Sequence, residues 1–198
     1  MRVRIIFKLK NRGASLPFHH QHILAQFLKG VLVKGENEKY ISHPFYNFSG
    51  LKGQTKISRN GLHYYSSLVT LVISSADQEF LDYLLAQVFE FDDIQLGNLE
   101  VSPLSTEVEK GIDLADEMKF ICISPAVPTK AAFNDVEGKR FILPETDEFS
   151  DLLYESTMQR MELTGLYNEE QLASFSKFQV VPDVAYLNRL REKEKKFA

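Results

Sequence analysis

Four of the five histidines, His19, His20, His22 and His43, fall in the first sixty residues together with eleven of the 23 lysines and arginines. Imidazole titrates near neutrality and can take or give a proton, and a lysine or arginine beside it can stabilise a developing anion. Only two acids, Glu36 and Glu38, oppose those cations, so this stretch carries +9 and the rest of the chain −13 within a total of −4. The net charge alone gives no reason to expect a polyanionic partner. The asymmetry does, because cations gathered in one region are the footprint of a nucleic-acid-binding face.

His19 and His22 stand one helical turn apart and could present two metal ligands. Zinc sites use three or four protein ligands with a supporting shell. No third ligand of matching spacing follows, and the neighbouring charges are basic. No metal and no cofactor are therefore expected, and one of these imidazoles should instead pack or hydrogen-bond at a helix start. His63 has no partner in the sequence and reads as structural. The single cysteine, Cys122, excludes an intramolecular disulfide and lies in an apolar run where a buried thiol is the simpler account. No glycine-rich phosphate loop follows any strand, which excludes the common nucleotide-binding enzymes. The chain opens on alternating charge, and no apolar run approaches bilayer length, so a soluble cytoplasmic protein with no membrane partner is expected.

The elements that must position these groups follow from periodicity. Arg2 to Lys10 alternates polar residues with Val3, Ile5, Phe7 and Leu9, the pattern of a strand with one buried face. Arg2, Arg4, Lys8 and Lys10 then share the opposite face, and Arg12 follows at its exit. Ile23, Leu24, Phe27, Leu28, Val31 and Leu32 form a helical stripe that Gly35 should end. Phe45 to Ser49 predicts a short aromatic strand, and Gly50 and Gly53 bound a turn around Lys52. Leu62 to Ile73 reads as one extended segment. A second helix capped by Ser75 or Asp77 carries Phe80, Leu81, Leu84, Leu85 and Val88, and Asn98 to Glu109 is extended again. The acids from Asp77 to Glu117 should face away from a bound nucleic acid.

This order predicts an α+β chain of tandem ferredoxin-like (βαββαβ) domains. The expected boundaries are residues 1–112 for the first domain, 113–118 for an acidic connector and 119–198 for the second. Lys119 to Ser124, Arg140 to Leu143, a helix from about Asp147 to Leu163 and Phe178 to Val181 make up that second domain. It looks incomplete, because no strand-sized apolar segment follows the charged run Arg189 to Lys196.

Three segments carry a resemblance. Leu16-Pro-Phe-His-His-Gln-His-Ile-Leu24 is similar to the start of the first helix in the CRISPR-associated repeat-processing endoribonucleases of the repeat-associated mysterious protein (RAMP) superfamily. Phe45-Tyr-Asn-Phe-Ser49 is similar to that family's aromatic strand, and Phe120-Ile-Cys-Ile-Ser-Pro125 to the strand end that opens its second domain. The chain departs from the family in one respect: no glycine follows Gly165, so the RNA-positioning glycine-rich loop near the family's C-terminus has no counterpart. A chain cut short, or one lacking that loop, is the expectation.

The resemblance implies metal-independent processing of precursor CRISPR RNA. A ribose 2′-OH attacks the adjacent phosphate and leaves 2′,3′-cyclic phosphate and 5′-OH ends. His43, in the loop before the aromatic strand, matches the place of the family's catalytic histidine. Lys52 would stabilise the phosphorane, and Tyr40 would orient the imidazole or donate to a phosphate. His20 is a second candidate near the site. Arg2, Arg4, Lys8, Lys10, Arg12, Lys29 and Lys56 are the expected RNA-binding cations, Lys29 standing near a position that is tyrosine in some relatives. Each has a plainer reading: ordinary surface charge for the cations, a solvated loop for His43, core packing for Tyr40. The implied partner is CRISPR repeat RNA, with a homodimer left open. The rival functions are a non-catalytic RNA-binding subunit that joins the other subunits of a CRISPR effector complex, and a protein-interaction module using the acidic face.

Overall fold

The computed structural model describes residues 1–59, 61–111, 129–130 and 140–195. The connector expected at 113–118 and the Phe120 to Pro125 motif with Cys122 lie outside them. The chain divides into two compact units, Met1–Leu114 and Ala115–Ala198.

In the first unit, β1 (Arg2–Leu9), β3 (Tyr46–Phe48), β6 (Leu68–Ser75), β7 (Ile94–Leu96) and β8 (Leu99–Val108) form one antiparallel sheet in the order β3-β6-β1-β8-β7. Helices α1 (Gln21–Lys34) and α2 (Gln78–Phe89) complete the βαββαβ path, with β3, β6, β1 and β8 in ferredoxin-like order. Alternation decides which face meets the helices. Val3, Ile5 and Phe7 of β1 and Val69, Leu71 and Ile73 of β6 are fully buried. Leu24, Leu28, Val31 and Leu32 of α1 and Phe80, Leu81, Leu84 and Val88 of α2 cover them from one side. Phe27 packs at the margin, its ring edge-on to Phe7 at 6.5 Å. Asp77 caps α2 by accepting from the Phe80 amide at 2.9 Å, satisfying one of the helix's unpaired N–H groups. Gly35 caps α1.

The segment Leu62 to Ile73, expected to be one strand, is two. β5 (Gly61–Tyr64) leaves the large sheet and pairs with β2 (Ser15–Leu16) and β4 (Thr55–Ser58) in the separate order β2-β5-β4. The break falls at the polar residues before β6, where Ser67 accepts from the Leu9 amide at 2.9 Å. Gly61 makes the small sheet possible. Its φ is +132°, and a Cβ there would stand 2.1 Å from the Leu16 carbonyl oxygen.

In the second unit, β9 (Thr129–Lys130) pairs with β10 (Arg140–Phe141), and three helices follow: α3 (Asp147–Thr164), α4 (Glu169–Ser174) and α5 (Val184–Lys195). Gly165 ends α3 in the left-handed conformation at φ 64°, and Asn168 and Gln171 form a capping box on α4. Tyr154 stacks on Phe175 at 5.6 Å, and Phe178 packs edge-on to both rings. Phe178 to Val181 is thus not a regular strand: the Phe178 ring is held by these aromatics, and the Val180 amide donates to the Ser150 hydroxyl at 2.9 Å. The charged run from Arg189 belongs to α5. No described helix is long and apolar enough to cross a membrane.

Candidate functional site

The basic residues of β1 point away from α1 and α2, as alternation requires, but they do not stand alone there. β8 runs beside β1 with Arg4 opposite Glu107. Arg4 reaches Glu107 at 3.0 Å and Glu109 at 3.2 Å, and Arg2 reaches Glu109 at 3.0 Å. Lys10 is paired with Asp93. The acids beyond Asp77, expected to face away from a bound nucleic acid, thus include two that share the basic face of β1. Antiparallel pairing places Glu107 and Glu109, two apart in sequence, on the same face as Arg2 and Arg4. The same alternation was available in the sequence as a signal for this cross-strand ladder. Half-exposed pairs of this kind contribute about 0–1 kcal/mol each, so they screen the arginines rather than bury them.

Lys8 and Lys52 escape that screen. Lys8 lies opposite Leu68 on one side and Ser102 on the other. Lys52 continues the β3 edge, exchanging backbone hydrogen bonds of 2.8 Å with Thr70, which in turn lies opposite Ile6. Cross-strand partners share a face, so Lys52, Thr70, Ile6 and Lys8 all look out on the side opposite the helices. Both lysines are exposed, and neither forms an ion pair among the described residues. Lys29 is exposed on α1, on the other side of the sheet. Arg12 and Lys56 belong to the small sheet and its approach, where Lys56 Nζ lies 5.2 Å from the Tyr65 ring centre.

His43 and Tyr40 are brought together, but away from Lys52. The His43 ring stacks on Phe80 at 4.1 Å and meets Tyr40 and Phe45 edge-on at 6.0 and 5.8 Å. Phe80 is a fully buried residue of α2, so this cluster sits on the helix side of the sheet. Tyr40 also packs on Tyr83 at 5.1 Å, and its hydroxyl lies 3.5 Å from Glu79, which Lys39 contacts at 3.0 Å. His43 Nε2 is buried without a hydrogen-bond partner among the described residues. Loss of hydration holds the His43 pKa below its ordinary value; the carboxylate of Asp77 works against that shift. The ring is therefore neutral near pH 7, the form able to accept a proton, yet the accepting nitrogen is covered.

The remaining histidines divide by environment. His19 and His22 are exposed at the start of α1. His20 is buried: its Nδ1 lies 3.0 Å from the Pro17 carbonyl, and its Nε2 accepts from the Leu51 amide at 3.3 Å. The carbonyl can only accept and the amide can only donate, so the proton is fixed on Nδ1. His20 thereby ties the approach to α1 to the turn before Lys52. His63 is likewise engaged at both nitrogens, with Gly13 O at 2.9 Å and Ser58 Oγ at 3.0 Å.

No protein-family model matches this chain, and no curated protein does. Solved structures match at the level of fold. One, described as "CRISPR associated protein Cas6", superposes with a TM-score of 0.69 at 20% identity, over 85% of this chain and 72% of its own. A second, "An RAMP protein binding different RNA substrates", gives 0.73 at 22% identity over 85% and 74%. A Cas6-related protein from Pyrococcus furiosus gives 0.73 at 18% identity over 85% and 73%. The βαββαβ sheet order and these superpositions together establish that the chain carries the α+β ferredoxin-like fold found in CRISPR-associated Cas6 and RAMP proteins.

Proposed function

We propose that the chain binds CRISPR repeat RNA on the sheet face opposite its helices. The observation that carries this reading is the placement of Lys8 and Lys52, exposed and without carboxylate partners among the described residues, on that face of a RAMP-type fold. Phosphate contacts from such cations give affinity that falls steeply with salt.

The finer reading is metal-independent endoribonuclease activity, with His43 moving the proton, Lys52 facing the phosphorane and Tyr40 in support. The neutral imidazole favours it. The covered Nε2 and the separation of His43 from Lys52 by the sheet favour the other reading, a non-catalytic RNA-binding RAMP subunit. One experiment tests both: labelled repeat RNA incubated with the protein in EDTA, with binding measured over a salt series and products analysed for cyclic phosphate. Retention of RNA at low salt and its release at high salt is the expected result. Cleavage to a 2′,3′-cyclic phosphate that slows about 10²–10⁴-fold in His43→Ala identifies the nuclease. Bound, intact RNA identifies the subunit. RNA that is not retained at low salt overturns the proposal and leaves a protein-interaction module.

A further inference from the structure

We propose that the outer face of the β2-β5-β4 sheet is a second RNA-contacting platform, where Tyr65 stacks on an unpaired base while Lys56 and Arg12 take the flanking phosphates. The proposal rests on the RNA-binding reading above and adds where a single strand is held. Pairing in the small sheet sets Lys56, His63 and Ser15 in one cross-strand row, and Ile57, Leu62 and Leu16 in the next. Leu16 and Tyr64 are fully buried, so their side of the sheet meets the core. The Lys56–His63 side is then the outer one, and Tyr65, two residues beyond His63, returns to it.

Tyr65 is 42% exposed, far more than the packed Tyr64 beside it. It is nevertheless held. Gly13, at φ +87°, lies beside it, close enough that a Cβ there would stand 3.8 Å from Cε1. His63 fixes that backbone by donating from Nδ1 to the Gly13 carbonyl at 2.9 Å, and braces β4 by accepting from Ser58 Oγ at 3.0 Å. The Gly13 amide donates to the Tyr64 carbonyl at 2.6 Å. An exposed aromatic ring on a braced backbone, with a lysine over it, is the arrangement that stacks bases of a single strand and holds their phosphates.

Charge supports the same ligand. No acid occurs between Glu38 and Asp77, the stretch that supplies β4, β5 and Tyr65. Neither Arg12 nor Lys56 forms an ion pair among the described residues, unlike Arg2, Arg4 and Lys10. An acidic peptide would also be drawn to such cations. It would leave the flat face of Tyr65 unused, and single-stranded RNA uses both.

The test is binding of a fluorescein-labelled single-stranded oligouridylate of about twelve nucleotides to the full chain and its variants across a salt series. Tyr65→Ala should weaken binding roughly tenfold, with the salt slope unchanged, and Tyr65→Phe should stay within about twofold of the parent. Arg12→Ala with Lys56→Ala should flatten the slope by about 1.4, the loss of two phosphate contacts to a single strand. Parental affinity in Tyr65→Ala, with binding lost in Lys8→Ala/Lys52→Ala, would overturn the platform and leave RNA binding on the large sheet. No binding by the parent protein would remove the RNA-binding reading and the platform with it.

Discussion

His43 shows what a residue type can and cannot announce. A lone imidazole before an aromatic strand was visible in the sequence as a candidate for proton transfer. Its neighbour Phe80 was not, because the stack forms only once α2 docks on the sheet. Burial makes the folded chain hold the His43 proton less tightly than the unfolded chain does. Stability from this group is therefore present above the ordinary imidazole pKa of about 6.5 and is lost as pH falls from there toward the lowered folded value. Asp77 and Lys39 modulate that shift in opposite senses, and they remain in place when His43 is replaced. His43→Phe keeps an aromatic ring against Phe80 and removes the uncompensated Nε2. Urea denaturation at about pH 7.5 and 5.5 should show a smaller loss of midpoint on acidification in this variant than in the parent. An identical loss in both would mean that His43 titrates as it does in water.

Among the elements, those with a clear period were legible and those without were not. β1, α1, α2 and β8 carry apolar residues at strand or helix spacing and formed where periodicity put them. The small sheet did not announce itself. β2 is two residues long, and β4, Thr-Lys-Ile-Ser, places its one apolar residue, Ile57, at 78% exposure. Its existence depends on a backbone contact that no side-chain pattern records, the approach of Gly61 to Leu16. Two alanine substitutions should separate these cases in chemical denaturation. Gly61→Ala meets backbone at a positive φ and should cost more than about 1 kcal/mol. Gly30→Ala, in the middle of α1 with open space around it, should instead stabilise by about 0.5–1 kcal/mol. Equal effects would show that the small sheet does not depend on the bare Gly61 backbone.

At the scale of the molecule, the charge split seen along the sequence does not map onto two separate surfaces. It folds back on itself at the β1–β8 pair, where Glu107 and Glu109 meet Arg2 and Arg4. Glu107→Gln with Glu109→Gln should therefore release two arginines. If RNA crosses that end of the sheet, the salt dependence of its binding should steepen by about 1.4. An unchanged slope would confine RNA to the Lys8–Lys52 end and beyond. The His20 bridge has a consequence of another kind. Its two hydrogen bonds join segments 31 residues apart in sequence and demand the imidazole tautomer that is the minor one in free histidine. A nitrogen-15 spectrum should then show the proton on Nδ1 in His20, as in His63, and the signal that His20→Ala removes should be the buried one, slow to exchange with solvent. That single resonance would report, during refolding, the moment at which the beginning of α1 and the turn before Lys52 have met.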